Sequence, residues 1–172
     1  MEFRREKSGS VSAMFEPVEV DLLRQIANQL VQLLHSIDTD DPMTFTLSNV
    51  SRLLPAAYPD DPEATAEFRR FTADGILEGK IANANAVIAG LGDEPVPDVS
   101  THDPLPVPIV LDDGQVQSWL RTLTDLRLVV ADRLDIDRHG VPQNHDEESE
   151  MISDVYDWLG MVQESLVYAI DA

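Results

Sequence analysis

Chemistry requires polar groups that converge, so the residues able to supply it come first. His139, His145, Asp146, Glu147 and Glu148 form a metal-like cluster. Imidazole and carboxylate are good ligands, but these sit around Gly140 and Pro142 in a turn-forming stretch. Their spacing therefore defines no coordination geometry, and no metal site is expected. With 32 acidic residues in the chain, carboxylate pairs arise by accident, so none is singled out for acid–base work. Glycine-rich phosphate loops, a nucleophile elbow and a His-Glu-x-x-His zinc motif do not occur. The expectation is a chain that is not an enzyme and carries no cofactor. The rival is a small-molecule enzyme with an unrecognised carboxylate site.

A second constellation is more informative. Asp125, Arg127, Asp132 and Arg133 lie in one helical stretch, and Asp154 and Asp157 lie in the last one. Asp125 can reach Arg121 one turn back, and the aspartates of the last helix can meet Arg127 or Arg133. An arginine fork on a carboxylate fixes the register of two helices more strictly than lysine does. Asp125, Arg127, Arg133 and Asp157 thus read as a register-setting network, with a ligand pocket as the alternative. Trp119 and Trp158 read as core residues of the same helix pair, although tryptophan and arginine also dominate binding hot spots.

The elements that position these residues follow from periodicity. Val116, Trp119, Leu120, Leu123, Leu126, Val130 and Leu134 recur every three or four residues, which predicts a helix over 113–134 with Asp112 or Asp113 as its cap. Ile152, Val155, Tyr156, Leu159, Val162, Leu166, Val167 and Ile170 predict another over 148–170. A leucine stripe after Glu16-Pro17 predicts a helix over 17–37, and Leu47, Val50, Leu53 and Leu54 predict a short helix capped by Ser48. A long helix is predicted over 62–90, with Phe68, Phe71, Gly75, Gly79, Ala82 and Ala86 on or near one face, and a break near Asp74-Gly75 that splits it in two is the rival. The two glycines mark a flat groove for close helix approach, and homodimerisation through them is possible. Phe3–Phe15, turning at Ser8-Gly9-Ser10, reads as a small β-hairpin, and the prolines of 91–108 as a stiff connector. The fold class is mainly α: a single-domain helical bundle with a small N-terminal β-hairpin.

Charge narrows the function classes. A net charge of -20 repels phosphate backbones, so direct nucleic-acid binding by the isolated chain is not expected. No apolar run approaches a membrane span, and no leader-type pattern precedes the first helix, so a cytoplasmic protein with no membrane partner is expected. Zero cysteines remove disulfides and thiolate metal sites.

Several stretches carry a family resemblance. They are Phe3-Arg4-Arg5…Gly9…Phe15-Glu16-Pro17, the run from Trp119-Leu120 through Asp125-Leu126-Arg127 to Arg133-Leu134, and Tyr156-Asp157-Trp158-Leu159-Gly160…Gln163-Glu164-Ser165. Together they resemble an actinobacterial family classed as a domain of unknown function, encoded beside the ClpS protease adaptor, with some members named oxidative-stress transcriptional regulators. The resemblance implies regulation through protein contacts, with a sigma factor or RNA polymerase as partner. An accessory role in ClpS/Clp proteolysis is the alternative it carries.

Overall fold

A computed structural model describes residues 1–92, 105–134 and 147–171. The metal-like cluster's His139, His145 and Asp146 lie outside the described residues, as do Pro95, Pro97 and Pro104 of the connector. Among the described residues no group of histidines and acids is placed to hold a metal. No described helix is long and apolar enough to cross a membrane.

The chain is mainly α. In order it forms β1 (Arg4–Arg5), β2 (Val11–Phe15), α1 (Pro17–His35), a 3-10 turn (Pro42–Thr46), α2 (Ser48–Leu53), α3 (Pro62–Gly90), β3 (Val107–Leu111), α4 (Asp113–Arg133) and α5 (Glu147–Asp171). The hairpin turn uses Gly9 at φ +93°, a backbone conformation that side-chain-bearing residues resist. Helix starts follow local chemistry. Glu16 precedes Pro17, and its N–H donates to the Glu19 carboxylate at 2.8 Å. Asp61 accepts the Ala64 N–H at 2.9 Å. Asp112 accepts the Gln115 N–H at 2.8 Å while Gln115 takes the Asp112 N–H at 2.9 Å, a reciprocal cap on α4.

The hairpin is larger than expected. β3 pairs antiparallel with β2, Val11 opposite Leu111 and Phe15 opposite Val107, giving a three-stranded sheet in the order β1-β2-β3. The connector reading of 91–108 therefore fails at its end, where Val107 and Pro108 begin a strand. Prolines masked the signal, but Pro108 is tolerated because β3 is an edge strand and a proline without an N–H can face outward. Ile109 and Leu111 are buried while Pro108 and Val110 are exposed, the alternation of a half-buried strand.

The inner face of the sheet seats an aromatic cluster. Phe3, Phe15 and Trp119 meet edge to face with ring centroids 5.7 to 6.0 Å apart. The Phe3 N–H donates to Ser165 Oγ on α5 at 2.8 Å, and Arg5 donates to the Ile170 carbonyl at 3.0 Å, placing a cation at the α5 C-terminus. α4 lies at the centre, packed by α1, α2, α3 and α5. Val116, Leu123, Leu126 and Val130 of α4 meet Leu159, Val162 and Leu166 of α5 in the same buried cluster.

Candidate functional site

α3 and α5 each pack on α4 with little contact between them, which leaves an open trough above part of α4. Its volume is about 570 Å³. Leu120, Arg121, Thr124 and Asp125 form its floor, with Gly75, Ile76, Gly79, Lys80 and Asn83 on the α3 side and Gln163 and Val167 on the α5 side. Ile76 and Val167 are exposed apolar side chains. The polar constellation anticipated from the sequence is here in part, with different partners.

Asp125 is buried, but it does not pair with Arg121. Its Oδ1 accepts the Lys80 ammonium of α3 at 2.6 Å. Asp125 faces α3, whereas Arg121 stands exposed at the trough, so the one-turn spacing misleads. Burial raises the Asp125 carboxyl above its ordinary value, and the hydrogen bond and charge of Lys80 pull it the other way.

Arg127 links α4 to α5 without a carboxylate. It donates to Gln163 Oε1 at 3.0 Å and to the Tyr156 hydroxyl at 3.3 Å, with its guanidinium 5.0 Å from the Tyr156 ring centre. Gln163 in turn donates to Thr124 Oγ1 at 2.8 Å. A Cβ on Gly160 would stand 3.8 Å from the guanidinium carbon, so this glycine leaves the arginine a flat bed. Gln163 is the residue that sequence reasoning missed as a partner. An uncharged amide i+7 from Tyr156 gives no charge signal, although both were quoted in the family pattern.

Arg133 and Asp157 do not join the network. Both are exposed, Arg133 meets no carboxylate among the described residues, and Asp154 is likewise on the outside of α5. Facing neighbours decide this: α5 presents Leu159 and Val162 to α4, which turns its aspartates to solvent. Asp132 points instead to α2, accepting from Ser48 and lying 3.2 Å from Arg52. The short helix is therefore preceded by Leu47, and Ser48 ties α2 to α4 rather than capping it.

The two tryptophans part company. Trp119 is fully buried in the aromatic cluster, as expected of a core residue. Trp158 is half-buried at the α1–α5 seam, where its indole N–H donates to Glu19 at 3.2 Å. Its neighbour Leu159 takes the core position, so Trp158 is a seam residue rather than the centre of the core.

The α3 face that carries the two glycines turns outward. The face that packs inward carries Thr65, Ala73, Leu77, Ala84 and Val87. Phe68, Phe71, Gly75, Gly79 and Ala82 are exposed, and a Cβ built on either glycine meets nothing within 4 Å. The flat groove exists, but no helix of the described chain lies in it.

A family model described as a domain of unknown function, DUF2017, matches residues 1–170. The chain belongs to this family. A relative in Mycobacterium leprae (strain TN), whose name proposes it as the oxidative stress regulator AosR, is 27% identical over 184 residues, spanning 91% of this chain and 80% of the relative. No solved structure matches the chain. Within this DUF2017 chain, the trough is where the family-pattern residues Asp125 and Gln163 and Arg121, which has no ion pair among the described residues, come together. Its charged groups include a salt-bridged lysine and an exposed arginine, a set suited to binding another molecule.

Proposed function

We propose that this protein is a non-catalytic regulator of the oxidative-stress response that works through protein–protein contacts. A sigma factor or RNA polymerase subunit is its partner, reached in the cytoplasm. The name of the Mycobacterium leprae relative supports the regulatory role. The observation that carries the contact mode is the trough: an open groove beside a packed core, walled by exposed apolar and small residues of α3 and α5. Grooves of this form take an amphipathic helix by its apolar face. The charge of -20 favours a basic partner surface and speeds its approach, while it disfavours direct operator reading.

Signal reception cannot run through a thiol, since the chain has no cysteine. The stimulus must therefore arrive through the partner or another group. Affinity purification with mass spectrometry from native cells, before and after peroxide, tests the proposal. Recovery of sigma or polymerase subunits, changed by peroxide, is the expected outcome. Their consistent absence removes the transcriptional reading.

A further inference from the structure

The trough specifies the segment that fits it. Gly75 and Gly79 have ordinary helical backbone, since positive φ among the described glycines is confined to Gly9 and Gly92. Glycine weakens a helix interior, and neither glycine is needed to avoid a neighbour, because both face open space. What they provide is a wall on which another backbone can lie close. The charge around them is also particular. Among the side chains that line the trough, the cations Lys80 and Arg121 outnumber the one anion, Asp125, in a chain of net charge -20. The Lys80 ammonium is held by Asp125 at 2.6 Å. Arg121, exposed and without an ion pair to any described residue, is the cation that an incoming group meets.

We propose that the trough receives an amphipathic helix of a partner protein, with small and apolar residues against Gly75, Gly79, Ile76 and Val167 and a carboxylate paired with Arg121. This rests on the reading of the trough as the contact surface and adds the chemistry of the occupant. A second copy fits less well. Two copies, each of net charge -20, repel one another on approach.

The probe is a synthetic helical peptide with Ala and Leu along one face and one central Glu, compared with a counterpart carrying Lys there. Fluorescence anisotropy with the full chain reads binding. The Glu peptide is expected to bind more tightly, and Arg121→Glu to reverse that preference, each change being about three- to fivefold, the scale of an exposed charge pair. Gly79→Leu fills the groove and is expected to weaken the Glu peptide by more than about tenfold. Circular dichroism and thermal melting check that both variants fold, and Arg121→Glu keeps the test open if Gly79→Leu does not.

Unreversed charge preference, or binding that Gly79→Leu leaves unchanged, overturns the proposal. So does sedimentation showing self-association that Gly79→Leu abolishes, which assigns the trough to a second copy. Peptide binding without recovery of transcription subunits from cells sinks the transcriptional reading alone. Recovery of those subunits that neither variant weakens sinks the trough assignment alone.

Discussion

The two sides of α4 make opposite use of the same helix. One side carries Trp119, Leu123, Leu126 and Val130 into a core closed by the sheet, α1 and α5. The other carries Arg121, Thr124 and Asp125 to a trough that α3 and α5 leave open. On the closed side, edge-to-face rings and packed aliphatic chains hold the geometry, with hydrogen bonds such as Phe3 to Ser165 at its rim. On the open side, geometry is held by hydrogen bonds instead: Lys80 to Asp125, Arg127 to Gln163, Gln163 to Thr124. The difference teaches that the polar network fixes the walls of the trough without filling it. Disrupting the closed side should unfold the protein, and disrupting the open side should change what it binds.

Trp119→Ala is the largest expected blow to that contrast. It empties the centre of the aromatic cluster and should cost about 4 kcal/mol in chemical denaturation. A cost under about 1 kcal/mol breaks the claim that this side is closed by packing. Lys80→Met comes next, because it leaves a buried carboxylate without its cation. At neutral pH it should cost about 3 kcal/mol. The pH dependence has a definite sign. Burial already holds the Asp125 carboxyl above its ordinary value of 3.8, so its contribution favours the folded state below that value. The contribution is lost as pH rises through the folded value. The Lys80→Met deficit should therefore shrink on acidification, as Asp125 takes up a proton. A deficit independent of pH points to lost lysine packing rather than to the unpaired carboxylate.

Legibility in the sequence divided along the same line. The long helices were readable because leucine, valine and isoleucine at three- and four-residue spacing record a buried stripe, and Glu16-Pro17, Asp61-Pro62 and Asp112 record where helices start. β3 was hidden by Pro106 and Pro108, whose ban on strands lapses at an edge. On α3, spacing groups Phe68, Phe71, Gly75 and Gly79 on one face but does not show that this face turns outward, since Ala73, Leu77, Ala84 and Val87 supply the buried contacts. On the open side, charge was the wrong guide. Opposite charges one turn apart suggested Asp125 with Arg121, and facing acids suggested Arg127 with Asp157. The actual partners, Lys80 and Gln163, lie 45 and 36 positions away in the chain, and only the packing angle of three helices brings them together.

Arg127→Ala sharpens the comparison from between the two sides. Its removal leaves Gln163 Oε1 and the Tyr156 hydroxyl without their donor, yet both lie near solvent that can replace it. The expected cost is about 1 kcal/mol in urea denaturation, with the helical circular dichroism unchanged. Loss of partner binding from an otherwise intact fold would move Arg127 from a helix-linking role to a contact role. Gly75→Ala and Gly79→Ala act in the opposite direction. Each adds a Cβ into open space on a helical backbone, so each should raise stability by about 0.5–1 kcal/mol in thermal melting. Destabilisation by either alanine would mean that the α3 wall is not open.

Sulfur gives the smallest expected effect and a check on where the closed side ends. All five methionines, Met1, Met14, Met43, Met151 and Met161, are exposed, so the buried cluster contains no sulfur. Methionine is ordinarily a buried residue, and its sulfoxide disrupts a core by placing a polar group there. Here peroxide transfers oxygen to thioethers that already face water. Mass spectrometry should find one added oxygen at each of the five positions, while the melting free energy changes by less than about 0.5 kcal/mol. The result bears on regulation as well. A fold that keeps its stability with every sulfur oxidised remains available for the proposed contact under peroxide, whereas a marked loss of stability would place at least one methionine against the core.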